Sequence, residues 1–135
     1  MKLFAPNLTA LLGADIAGKL ITCAGGITEL AKCPSGNILN MGTHHVNIEG
    51  FSTRNKLNNG YLSELEEYKT ANDNMKIKVL RRYANKAALA AKADAFSIPK
   101  INNENEEVLI ENNNDYGKDL KEKIVEKLSK IENTK

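Results

Sequence analysis

Apolar positions recur along this chain at intervals of three and four. In "PNLTALLGADIAGKLITCAGG", Leu8, Leu11, Leu12, Ile16 and Leu20 fall at helical spacing, and this predicts one helix over the stretch. Pro6 suits its first turn, where a missing N–H costs nothing, and Gly25-Gly26 suits its end. Ala10, Ala14, Ala17 and Gly18 are small enough to let a neighbouring helix approach closely. Ile27 to Lys32 allows only a short helical turn, and Pro34 reads as the first residue of the next helix, which then begins beside Lys32.

Gly42 and Gly50 interrupt the pattern, and "GFSTRNKLNNG", Gly50 to Gly60, has the content of an exposed loop. Tyr61 to Lys69 resumes a helical rhythm with Leu62 and Leu65. The longest pattern is Asp73 to Phe96, with Asn72 or Asp73 as its cap. At about 100° per residue, Ile77, Leu80, Tyr83, Ala84, Ala87 and Ala91 gather on one side of that helix. Lys78, Arg81, Arg82 and Lys92 gather on the other, with Lys86 at the margin, Lys76 off the stripe and no acid before Asp94. A row of cations without counter-charges is either a solvated face or a surface for an anionic partner.

Beyond Ser97 the chain becomes rich in Asn and Glu, and a flexible insertion is expected at about 98–115. A closing helix is expected at about 117–132, where Leu120, Ile124, Leu128 and Ile131 recur on one face with Val125 beside them. Its lysines alternate with acids and read as a solvated face. The whole chain, residues 1–135, is thus expected to form one all-α domain.

Composition narrows the function classes. With 135 residues, 41% of them hydrophobic, the chain is long enough to bury a core, and no apolar run approaches the roughly 20 residues a membrane span needs. The net charge of +2 is small, so the placement of the cations matters more than their number. Cys23, Cys33, His44 and His45 have neither the close cysteine pair nor the histidine spacing of a structural zinc site. The two cysteines are expected to be small core or semi-core residues, and neither a metal nor a cofactor is implied. No nucleophile elbow, phosphate loop or metalloprotease helix is present, which ranks an enzyme below a binding module.

One stretch carries more. "APNLTALLGADIAGKLITCAGGITELAKCPSGNILNMG", Ala5 to Gly42, closely resembles the signature of the Nop domain, shared by a spliceosomal branch and by nucleolar box C/D proteins. "RRYANKAALAAKADAF" looks like that family's second block, a basic helix ending in Asp-x-Phe, and "YGKDLKEKIVEKLSKI" is similar to its closing helix. "GFSTRNKLNNGYL" favours the spliceosomal branch over the nucleolar one. The family's coiled-coil arms are largely absent from this chain, which looks like a fragment beginning near the domain edge.

The resemblance implies a nuclear ribonucleoprotein-binding module that recognises the composite surface of a kink-turn RNA and its bound small protein. It names as partners the U4 small nuclear RNA 5′ stem-loop, the small kink-turn-binding protein of the U4 particle and other tri-snRNP proteins, with no membrane involved. Lys32, Lys78, Arg81, Lys86 and Lys92 match positions that meet RNA, and Ser35 and Gly36 match the composite surface. Asn58 or Asn59 stands where the spliceosomal branch has a base-stacking histidine, and asparagine offers no aromatic face. A nucleolar core protein and a helical scaffold that binds only protein are the alternatives.

The insertion gives a test. Deleting about a dozen residues between Asn102 and Asn113, with a short flexible replacement, is expected to leave the melting temperature and RNA-protein binding nearly unchanged, since loop length enters closure entropy only logarithmically. Loss of binding by a folded deletion variant would assign Val108, Leu109 and Ile110 a contact role.

Overall fold

A proline at the start of a helix leaves fewer N–H groups to satisfy, and here the rest of the chain satisfies the remainder. The computed structural model describes residues 4–42, 60–96 and 115–132. Their regular structure is α1 (Pro6–Leu12), α2 (Ala14–Ala24), α3 (Ile27–Lys32), α4 (Ser35–Asn40), a 3-10 helix (Tyr61–Glu64), α5 (Glu66–Thr70), α6 (Asp73–Phe96) and α7 (Asp115–Glu132). The domain is all-α, as the periodicity predicts. The expected insertion falls outside the described residues, as do His44, His45, Asn58 and Asn59.

In α1, Pro6 has no N–H, and the first intrahelical bond runs from Thr9 N to Ala5 O at 3.0 Å. That leaves the N–H groups of Asn7 and Leu8. Both donate to the Asp94 carboxylate, at 3.1 and 2.9 Å, so a residue near the end of α6 caps a helix 86 or 87 positions earlier in the chain. Asn7 Nδ2 adds a third donor to Asp94 at 2.9 Å, while Asn7 Oδ1 accepts the N–H of Gly117, in the first turn of α7, at 3.0 Å. One buried asparagine and one buried aspartate therefore join α1, α6 and α7 at one end of the domain. Burial pushes the Asp94 carboxyl above its ordinary range, against the opposing pull of the Leu8 and Asn7 donors.

The single helix expected over Pro6–Ala24 is two helices. Gly13 breaks it with φ +88°, which L side chains rarely adopt, and α2 begins at the next residue. Apolar spacing does not register such a break, because Leu8, Leu11, Leu12, Ile16 and Leu20 are all buried on both sides of it. The helical stretch expected over Tyr61–Lys69 is likewise divided, into the 3-10 helix and α5, with Leu62 and Leu65 buried. α7 begins two residues before the expected start.

α6 is the element around which the rest pack: α1, α3 and α4 lie along it, and α7 lies against α1. Its buried face is rotated by roughly 40° from the periodicity reading, at about 100° per residue. Leu80, Tyr83, Ala84, Ala87 and Ala91 are buried as expected, but Met75, Val79, Ala88, Ala90 and Asp94 join them and Ile77 is 41% exposed. Ile77 sits at the edge of the buried arc, and Val79 fills the inward position of that turn. Tyr83, fully buried, has its hydroxyl pushed well above the ordinary phenol range by desolvation and by the nearby Glu67 carboxylate, which lies outside good hydrogen-bond geometry. In α7, Leu120 and Ile124 are buried and Leu128 packs against the core, whereas Val125, expected beside them, is 50% exposed.

Two substitutions test these placements. Leu80→Ala is expected to cost roughly 2–5 kcal/mol by denaturant unfolding, and Arg81→Ala should barely move the midpoint; equal loss would mean that α6 is turned otherwise. Gly117→Ala is expected to destabilise the domain strongly, because the added Cβ would meet the Asn7 backbone oxygen at 2.2 Å. A Gly117→Ala protein that melts like the parent would show that α7 does not dock on Asn7 in this way.

Candidate nucleic-acid interface

The outward face of α6 follows from the burial of the inward one. Lys78, Arg81, Asn85, Leu89, Lys92 and Phe96 are exposed, and at about 100° per residue they fall within an arc of about 80°. Arg82 and Lys86 are half-buried beside that arc. Asp94, the first acid after the cations along the chain, is 1% exposed and turned inward, so no acid shares the outward face from Lys78 to Phe96.

Ion pairing separates this stripe from most of the other lysines. Lys19 pairs with Glu64, Lys118 with Asp115, Lys121 with Glu67, Lys123 with Asp119 and Lys130 with Glu126. Lys76, off the stripe as expected, folds back on Asp73 at 2.7 Å and lies over the Tyr68 ring; that carboxylate raises its pKa. Lys78, Arg81, Arg82, Lys86 and Lys92 form no ion pair with another described residue.

The second expected region is the turn from α3 into α4. Lys32 ends α3, and its Nζ donates to Glu29 Oε1 at 2.9 Å with both side chains more than half exposed. An exposed pair of this kind contributes little and does not commit the lysine. Cys33 and Pro34 are extended, and α4 starts at Ser35 rather than at Pro34. At six residues α4 is too short to gather much of a helix dipole, so the anion preference of a helix N-terminus carries little weight here. Its geometry matters more. Ile38 anchors α4 in the core, while Gly36 is exposed and a Cβ built there would meet nothing within 4 Å. The small residue at Gly36 is therefore not required by packing among the described residues.

Gly60, the residue after Asn59, is held against the end of α4: a Cβ there would meet the Met41 carbonyl oxygen at 2.4 Å, and Tyr61 N donates to that same oxygen at 3.0 Å. Gly42 lies close on the Tyr61 ring, which an added Cβ would meet at 2.8 Å. Since α3 and α4 both pack on α6, Lys32, Ser35, Gly36 and the cation stripe belong to one packed unit. Of the cysteines, Cys33 is half-buried as expected, but Cys23 is exposed on the outer side of α2, where helical spacing placed no marker. Among the described residues no group of His, Cys, Asp and Glu could hold a metal ion. Apolar spacing also missed Asn7 and Gly117; the one available signal was the Asn after Ala-Pro at a helix start, a polar side chain where the pattern demands a buried one.

An all-α domain whose longest helix turns an unpaired cation row outward is, as a class, a helical binding module. The family model described as "snoRNA binding domain, fibrillarin", Nop, matches residues 1–130, and the chain belongs to that family. It is similar to the U4/U6 small nuclear ribonucleoprotein Prp31 of Homo sapiens, 35% identical over 97 residues, covering 71% of this chain and 19% of that one. It is 38% identical over 92 residues to the Prp31 homolog of Arabidopsis thaliana, covering 67% of this chain and 19% of that one. It is 30% identical over 133 residues to nucleolar protein 58 of Scheffersomyces stipitis, covering 98% of this chain and 24% of that one. The chain thus spans about a fifth to a quarter of the curated relatives it matches.

Proposed function

We propose that this domain binds a ribonucleoprotein of pre-mRNA splicing in the nucleus, recognising the composite surface of a kink-turn RNA and the small protein bound to it. The RNA is the U4 small nuclear RNA 5′ stem-loop, and the complex supports assembly with other tri-snRNP proteins. The similarity to Prp31 proteins supports the splicing context. The observation that carries the reading is the acid-free face of α6, whose cations have no partner among the described residues. In this reading Lys78, Arg81 and Lys92 meet phosphates, with Lys86 at the edge and Lys32 exchanging Glu29 for a phosphate. Ser35 and Gly36 form the low surface on which the small protein rests. Asn58 and Asn59 contact the RNA loop by hydrogen bonds rather than by stacking.

Each partner then offers only part of the surface, and neither binds well alone. Together they share one ordering cost, since the small protein holds the RNA kinked before this domain arrives. The test is a gel shift with RNA, small protein and both, across a range of salt. Arg81→Glu is expected to weaken the ternary complex and flatten its salt dependence, because a phosphate contact and its released counterion are lost. Gly36→Phe is expected to block assembly with little change in that slope and in the melting temperature, since a Cβ at this exposed position meets nothing within 4 Å. Tight binding to naked RNA that Arg81→Glu does not diminish would refute the composite surface, and affinity indifferent to salt would favour a scaffold that binds only protein.

A further inference from the structure

The outward face of α6 is not a uniform row of cations. Its N-terminal half carries Lys78 and Arg81; its C-terminal half carries Leu89, Lys92 and Phe96, with Leu89 41% and Phe96 87% exposed. A lone exposed leucine is ordinary on a protein surface. Phe96 differs by position. It ends the helix four residues after Lys92, about 6 Å along the same face, and presents almost its whole ring to solvent in line with the cations. No acid lies on the arc between them.

We propose that Phe96 is a stacking platform for an unpaired nucleobase, with Lys92 holding a phosphate of the same strand and Leu89 lying against a ribose or base. This rests on the reading of α6 as an RNA-binding face. The chemistry divides the helix in two. A duplex would lay phosphates along the whole stripe and set charged oxygens over Leu89 and Phe96, where nothing pairs with them. A single strand turns its bases toward apolar and aromatic side chains and its phosphates toward cations, so Leu89, Lys92 and Phe96 suit unpaired RNA while Lys78 and Arg81 suit backbone of either kind. Recognition by Phe96 is tolerant of base identity, because every base has a π face.

The chain contains no tryptophan, so Phe96→Trp gives the domain a single indole reporter at the site. The probe is a kink-turn RNA with its small protein bound and its unpaired positions filled by adenosines or, in a second RNA, by abasic riboses. Phe96→Ala is expected to weaken the adenosine complex about 5- to 150-fold at unchanged salt slope, and to have no effect on the abasic one. Phe96→Trp should retain affinity, with indole emission quenched by the adenosine RNA and not by the abasic RNA. Val125→Ala, which removes an exposed apolar side chain from α7, is the control and should change nothing. Equal effects of Phe96→Ala on the two RNAs would overturn the proposal, as would emission that responds to the small protein without RNA. If Arg81→Glu weakens both complexes while Phe96→Ala is harmless, the RNA-binding reading of α6 stands and the stacking platform falls. If Arg81→Glu harms neither, the reading itself falls and the platform with it.

Discussion

The hydrogen bonds that meet at Asn7 and Asp94 are the constraint on which the rest of this domain depends. α1 has only seven residues and would not persist alone in water. It is held because Pro6 removes one unsatisfied donor and Asp94 accepts the next two. The Asn7 side chain then spends its remaining oxygen on Gly117, so the same residue that receives the end of α6 also starts α7. The orientation of the Asn7 amide follows from its neighbours, since the reversed amide would set donor against donor at Gly117 and acceptor against acceptor at Asp94. Every bond in this junction joins residues more than 80 positions apart, so the junction closes the domain rather than initiating it.

That closure decides what α6 can display. A 24-residue helix gripped at its C-terminal end by Asp94 and covered along one side by α1, α3 and α4 cannot turn about its axis. Burying Tyr83, Ala87, Ala90 and Ala91 forces Lys78, Arg81, Leu89, Lys92 and Phe96 outward together. Alanine is common on the inward side because neighbouring helices lie close there, and the only bulky aromatic inside α6 is Tyr83. Packing and display are two consequences of one rotation.

Much of this architecture is legible from spacing alone. Leu80, Tyr83 and the alanines of α6 give its inward side, and Leu120 and Ile124 give that of α7, because an apolar residue repeated at three and four has one dominant reading. Periodicity is weak where burial is not apolar. Asp94 and Asn7 are polar and buried, so a pattern that sorts residues by polarity leaves both out of the core. The rotation of roughly 40° in α6 has two sources: Asp94 is polar and counts inward only through the bonds that α1 makes to it, while Met75, Val79, Ala88 and Ala90 are apolar residues outside the inward set that included Ile77. Gly13 is a different failure, since the hydrophobic rhythm passes through it unbroken while the backbone does not. Of the candidate site, the exposure of Lys78, Arg81 and Lys92 and the openness around Gly36 follow from spacing and residue size, but the lack of an ion-pair partner for those cations among the described residues does not, because partners depend on which elements meet.

A net charge of +2 appears at first to argue against an RNA-binding role. The distribution of pairs answers that objection. Lys19, Lys118, Lys121, Lys123 and Lys130 are matched to acids on their own or neighbouring helices, and these matched pairs contribute little field beyond a Debye length. The acids in these pairs therefore act where they already have a lysine. The one carboxylate near the end of α6, Asp94, stands about 200° around the helix from Lys92, on the inward side with Tyr83 and Ala87, where α1 takes it. The rotation that hands Asp94 to α1 thus also keeps it off the cation face, and the electrostatics of that face follow from the packing.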